Sequence, residues 1–160
     1  MKTITLSIFI CLLLSCKSRT SGGEVLPDFD VLLPDSITRI NTSEIKTGAP
    51  IVLLYFSPDC EHCQNETEAI LQHIDRLKDV RFYFITNDPF DRLKIFGQHY
   101  RLDKYSNILL GQDEQFFLLR YLKGSFPPCL VLYDKDKRKS KTFQGETPID
   151  TIISSIHQLL

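Results

Sequence analysis

The sequence predicts an α/β fold in which a central mixed β-sheet is flanked by helices on both faces. The continuous apolar run at 51–56 (IVLLYF) is typical of a strand buried on both sides. Apolar residues at helical spacing follow it over 61–78, and a second strand-like run at 80–86 (VRFYFIT) completes a parallel crossover. A charged turn after the apolar run at 129–133 (CLVLY) indicates a terminal hairpin, so the sheet is mixed.

The other elements are predicted from turn residues and apolar spacing. Residues 27–40 are extended around a turn at Pro34-Asp35-Ser36, which gives an N-terminal β extension. The remaining elements are helices at 90–100, 115–122 and 149–160, and a strand at 140–144 that pairs with 129–133. A chain of 160 residues accommodates one such domain, which we place at 27–160. A net charge of −1 without a basic stripe argues against nucleic acid as a partner.

The N-terminus predicts a lipoprotein signal peptide at residues 1–15. An apolar stretch of about 11 residues is too short to span a bilayer, and Leu13-Leu14-Ser15-Cys16 resembles a bacterial lipobox. This resemblance implies that Cys16 is lipidated and that residues 16–26 form a flexible tether to the membrane. We expect a domain in the cell envelope that faces the periplasm, with the outer membrane slightly favoured because residues 17 and 18 include no aspartate. The alternatives are a plain signal peptide with an incidental Cys16 and an uncleaved anchor.

The segment FSPDCEHCQNE places Cys60 and Cys63 three residues apart. Zinc sites usually need four ligands and the chain has one Cys-x-x-Cys, so we expect no metal there. A disulfide that closes so short a loop constrains the unfolded chain little. A redox pair fits better, because Cys60 lies at a strand-to-helix junction where the helix dipole favours a thiolate. His62 can add positive charge or a hydrogen-bond donor beside that thiolate.

A strand, a Cys-x-x-Cys, a helix and a later proline before a strand and hairpin resemble the thioredoxin fold. Pro27-Asp28-Phe29, Glu66 and the membrane tether are similar to TlpA/ResA-type thiol-disulfide oxidoreductases of bacterial envelopes. The resemblance implies a redox-active Cys60–Cys63 disulfide in which Cys60 is the nucleophile and Cys63 resolves the mixed disulfide. It implies no cofactor.

The same resemblance implies roles for two further residues. Glu66 would tune the pKa of the Cys63 thiol or relay its proton, and Pro128 would be a cis-proline that faces the disulfide. The residues that directly precede Cys60 and Pro128 differ from the family's usual pattern. Asp59 places a carboxylate before Cys60, which opposes thiolate formation, and Pro127 cannot donate a backbone N–H to a bound substrate.

Cys129 follows the expected cis-proline and is a possible third thiol of the site. It could form an alternative disulfide, complete a Cu(I) site with the other two cysteines, or be a small buried apolar residue.

The expected function is therefore an envelope-facing, membrane-tethered thiol-disulfide oxidoreductase that acts on protein thiols and disulfides, as a reductase or isomerase. Its other partners would be an upstream membrane electron donor or acceptor and, through the N-terminal lipid, the membrane. The alternatives are a Cu(I)-handling protein that uses Cys60, Cys63 and Cys129, a thiol peroxidase, and a module without catalytic activity.

Overall fold

The computed structural model describes residues 23–160 of the chain. The strands are β1 (Asp30–Leu32), β2 (Arg39–Asn41), β3 (Ile51–Tyr55), β4 (Arg81–Thr86), β5 (Ile108–Gln112), β6 (Cys129–Tyr133) and β7 (Lys139–Gln144). The helices are α1 (Glu61–Gln72), α2 (Phe90–His99), α3 (Phe117–Tyr121) and α4 (Ile149–His157). The predicted signal peptide at 1–15 and the predicted lipidation site Cys16 lie outside the described residues. No helix in the described range is long and apolar enough to cross a membrane.

Within residues 23–160, seven strands form one mixed sheet in the order β2-β1-β5-β4-β3-β6-β7. The β3–β4 and β4–β5 pairs are parallel, and the other four pairs are antiparallel. The β1–β2 hairpin lies at one edge and forms the N-terminal β extension. The predicted α/β class, its mixed sheet and this extension are confirmed.

The sequence predicts no element at 108–112, where the structure has strand β5. The segment offers only three consecutive apolar residues before Gly111, and glycine is depleted in strands. The glycine is required by packing, because a Cβ atom there would lie 2.2 Å from Cγ1 of Val31 on β1. The close approach of β1 to β5 therefore requires Gly111, and this glycine weakens the sequence signal for a strand.

The sheet buries an apolar layer on each face, as the runs in β3 and β6 predict. Leu54, Leu130 and Leu132 contribute to the face covered by α1, α2 and α4. Leu53, Cys129 and Val131 contribute to the opposite face, which α3 and residues 26–31 cover. Adjacent residues of one strand point to opposite faces, so both central strands are apolar throughout.

Several element boundaries differ from those expected. The first helix ends at Gln72 rather than near residue 78, and a 3₁₀ turn at Ile74–Leu77 replaces its last part. The domain also begins before residue 27. Leu26 is buried, and the backbone of Glu24 accepts a hydrogen bond from the Lys139 N–H. These two residues, assigned to the tether from the sequence, belong to the folded domain.

The register of the sheet brings the two sequence motifs together. Tyr55, the last residue of β3, pairs with Cys129, the first residue of β6. The Cys-x-x-Cys segment after β3 and the Pro127-Pro128 segment before β6 therefore meet at one end of the sheet.

Candidate active site

Cys60 occupies the N-cap of α1. Its backbone is extended (φ −85°, ψ 117°), and its carbonyl accepts a hydrogen bond from the Gln64 N–H at 3.0 Å. The preceding turn is closed by the Cys60 N–H, which donates to the Ser57 carbonyl at 3.2 Å. The Cys60 thiol is free and only half-buried. It is therefore accessible at a position where the helix dipole favours a negative charge.

Cys63 lies one turn further along α1 and is fully buried. Burial raises the pKa of its thiol well above the ordinary value, and the nearby Cys60 thiol and Glu66 carboxylate raise it further. The Ser57 N–H, whose nitrogen is 3.5 Å from the Cys63 sulfur, acts in the opposite direction. The two thiols thus differ in the way that an attacking and a resolving cysteine require.

Glu66 is a buried carboxyl group with an incomplete set of hydrogen bonds. Its Oε1 accepts from the Thr147 N–H at 3.2 Å, while Oε2 has no partner among the described residues. Burial raises the pKa of Glu66 to about 7, the hydrogen bond from Thr147 limits the rise, and the nearby Glu146 carboxylate adds to it. A carboxyl group of this pKa can accept and release a proton at neutral pH.

The Pro127–Pro128 peptide bond is cis, as the resemblance implied for Pro128. The Cys60 sulfur lies 3.9 Å from the Pro127 carbonyl oxygen, so the cis-proline segment faces the accessible thiol. Phe126, directly before it, is 66% exposed. A substrate at this edge would meet an apolar ring and the Pro127 carbonyl, but no N–H group from residue 127.

The Asp59 carboxylate does not lie unpaired beside Cys60. Both of its oxygens accept from Nη1 of Arg92 on α2, at 2.8 and 2.6 Å. Both side chains are more than half exposed, so the ion pair adds little to stability. The pair places a guanidinium charge directly against the carboxylate that precedes Cys60.

The His62 ring contacts a carboxylate of the loop between β7 and α4. Its Nδ1 lies 2.7 Å from Oε2 of Glu146, which also accepts from Nδ2 of Asn65 at 3.4 Å. Within residues 23–160, the His62 ring makes no hydrogen bond with the Cys60 sulfur. A carboxylate 84 residues away along the chain holds the ring in this structure, and a role for His62 as a positive charge or donor beside the Cys60 thiolate stays a prediction.

Glu146 and Thr147 are site residues that the sequence reasoning missed. They belong to the loop between β7 and α4, far from the Cys-x-x-Cys in sequence. The flanking residues Gly145 and Pro148 predict a turn at this position. They do not indicate which part of the protein the turn contacts.

Cys129 is buried on the face of the sheet opposite to Cys63. Burial raises the pKa of its thiol, a contact with the Ser125 side chain lowers it, and the charge of Glu66 raises it. No group of three or more Cys, His, Asp or Glu side chains in residues 23–160 could hold a metal ion. The three-thiol metal site is thus not formed here, and Cys129 packs as a small apolar residue.

Two cavities differ in their relation to these thiols. The larger, about 660 Å³, opens at the starts of β4 and β5, which is the end of these strands away from Cys60. The smaller, about 400 Å³, begins at Pro58 and Asp59 and continues between α1 and α2 past Ile95. The smaller cavity is lined by Pro58 and Asp59, which directly precede Cys60, so it is the better candidate for substrate contacts despite its size.

Solved structures of known proteins share this fold. A secreted Mycobacterium tuberculosis disulfide oxidoreductase homologous to E. coli DsbE matches at a TM-score of 0.69 and 18% identity, over 82% of this chain and 96% of that one. A putative protein disulfide isomerase from Bacteroides thetaiotaomicron matches at 0.68 and 21%, over 86% and 89%. The peroxidoxin BcpB from M. tuberculosis matches at 0.69 and 16%, over 86% and 97%.

The chain has a thioredoxin-like fold, as the sequence motifs implied. No protein-family model matches it, and no curated protein sequence matches it. The fold is shared by oxidoreductases and a peroxidoxin, so the chemistry must be inferred from the side chains of this chain.

Proposed function

We propose that the protein is a thiol-disulfide oxidoreductase that exchanges disulfides with protein substrates through Cys60 and Cys63. The observation that carries this proposal is the asymmetry of the pair. Cys60 is accessible at a helix N-terminus and faces the cis-proline segment, whereas Cys63 is buried behind it.

In the reducing direction, the Cys60 thiolate attacks one sulfur of a substrate disulfide. The S–S bond of the substrate breaks, one substrate thiolate leaves, and a mixed disulfide forms. Cys63 then loses its proton and attacks the Cys60 sulfur. This step releases the second substrate thiolate and leaves a Cys60–Cys63 disulfide, so two electrons have passed to the substrate. Glu66, with its pKa of about 7 and an unpaired oxygen, is our candidate acceptor for the Cys63 proton.

The site would need a dithiol donor to become reduced again. With the lipobox at Cys16, this donor and the substrates would belong to the cell envelope, and a lipid would hold the domain near the membrane surface. We favour the reductase or isomerase direction, with the outer membrane as the slightly preferred anchoring site.

A thiol peroxidase is the second candidate, because a peroxidoxin shares the fold at a TM-score of 0.69. Such an enzyme must stabilise the departing oxygen of a peroxide. Arg92 is a cation that could do this, but its guanidinium forms an ion pair with Asp59. We therefore favour protein disulfides over peroxides as substrates.

Turnover with the two substrate classes tests the proposal. Purified protein is supplied with dithiothreitol and either insulin or hydrogen peroxide, and the loss of each substrate is followed. Insulin reduction that needs Cys60, at a rate well above that of peroxide consumption, is the expected result. Faster consumption of peroxide would favour the peroxidase, and inactivity toward both would contradict an enzyme of either kind.

A further inference from the structure

Three consecutive residues of the β7–α4 loop each hold a different part of the active site. The Gly145 N–H donates to the Pro128 carbonyl at 2.8 Å, next to the cis bond. Glu146 holds His62 at 2.7 Å, and the Thr147 N–H donates to Glu66 at 3.2 Å. The two backbone contacts need no particular side chain. The Thr147 side chain also contacts Glu66, whereas Glu146 is the residue of this loop that contacts His62, and this contact depends on its carboxylate.

The Glu146 contact adds little to the stability of the fold. The side chains of His62 and Glu146 are 69% and 42% exposed, and ion pairs this exposed to solvent contribute little to folding stability. Hydrogen bonds from His62 and then Asn65 lower the pKa of Glu146, so it is ionised at neutral pH. A carboxylate only accepts hydrogen bonds, so Nδ1 of His62 carries the proton in this contact. The contact fixes where the imidazole points, and this is its main consequence.

We propose that Glu146 is a positioning residue of the redox pair: it holds His62 against the β7–α4 loop and so keeps the imidazole from stabilising a Cys60 thiolate. This inference rests on the proposed thiol-disulfide exchange. An imidazole that approached Cys60 would favour the reduced form and make the disulfide a stronger oxidant. Glu146 therefore keeps the pair more reducing than its Cys-Glu-His-Cys sequence suggests.

The test is the equilibrium constant between the Cys60–Cys63 pair and glutathione, measured for the full protein and for Glu146→Gln. Glutamine preserves shape but makes a weaker, neutral contact with His62. We expect the equilibrium constant for forming the protein disulfide to fall about fivefold, which corresponds to about 20 mV toward a more oxidising pair and is close to the most that an exposed ion pair can supply. The same substitution in a His62→Gln background should change the constant by less than about twofold, because the imidazole is then absent.

Glu61→Gln is the matched control, because it removes another exposed carboxylate next to Cys60 that holds no histidine. An equal effect of Glu61→Gln and Glu146→Gln would show that only the amount of charge matters and would overturn the inference. An effect of Glu146→Gln that persists without His62, or no effect at all, would also overturn it. If the unmodified pair failed to equilibrate with glutathione, the proposed function would fail, which is a different result from an unresponsive Glu146.

Discussion

Replacing Cys63 by serine is expected to stop turnover and to trap Cys60 in a mixed disulfide with its substrate. Cys60 keeps its accessible position at the start of α1, so it can still attack. Serine cannot resolve the product, because an alcohol is a far weaker nucleophile than a thiolate toward sulfur. When the protein is reduced in advance and dithiothreitol is removed, we expect the variant to release reduced insulin at least about 1,000-fold more slowly, as when a group essential to catalysis is removed. A covalent complex that disappears with dithiothreitol should appear on a non-reducing gel.

Two other cysteine variants test whether Cys60 is the thiol that attacks the substrate. Cys60→Ser should lose turnover as well but form no complex, since the attacking sulfur is gone. Cys129→Ala should retain turnover, because this thiol packs on the opposite face of the sheet. A Cys63→Ser protein that still turns over, or a complex that needs Cys129, would contradict the assigned order of attack.

Replacing Glu66 by glutamine should slow resolution of the mixed disulfide and remove a pH dependence. Acid–base groups of this kind contribute about 100-fold or more to a rate, and we expect a loss of that order. In the unmodified protein the rate should rise with pH through about 7, as Glu66 loses its proton and becomes a base. Stopped-flow rates of resolution between pH 5 and 9 measure both effects. Glu68→Gln, an exposed change two residues away on the same helix, should keep the rise near pH 7.

The same substitution has a predictable effect on stability. The pKa of Glu66 is about 7 in the folded protein and about 4.5 when exposed, so the folded state retains a proton that the unfolded chain releases between these pH values. The free energy of unfolding therefore decreases as pH rises from 4.5 to 7. Glu66→Gln should remove this decrease, which amounts to about 3 kcal/mol. Urea unfolding at pH 4 and pH 8 measures it, and an equal gap between the two proteins at both pH values would refute a raised pKa.

The sequence predicted the parts of the site that are close together along the chain. A buried strand, the Cys-x-x-Cys and the start of a helix occupy 51–63, so spacing alone places Cys60 at a helix N-terminus and Cys63 one turn later. Pro128 could be placed only through resemblance, and its cis bond agrees with that expectation.

The contacts that modify these residues are distant in sequence and could not be predicted. Asp59 meets Arg92 across 33 residues, and Glu66 meets Thr147 across 81. Each depends on how α2 and the β7–α4 loop pack against α1, which local patterns do not specify. The same limitation applies to β5, where tight packing against β1 requires a glycine that weakens the strand signal.

The most direct test of the account is to map which thiols pair when the protein is oxidised. The protein is equilibrated in glutathione buffers of increasing potential without oxygen, free thiols are alkylated, and peptides are analysed by mass spectrometry. We predict that Cys60 and Cys63 lose reactivity together and appear in one linked peptide, while Cys129 is unpaired at every potential. A disulfide that includes Cys129, or a Cys60–Cys63 pair that never exchanges with glutathione, would contradict the proposed mechanism.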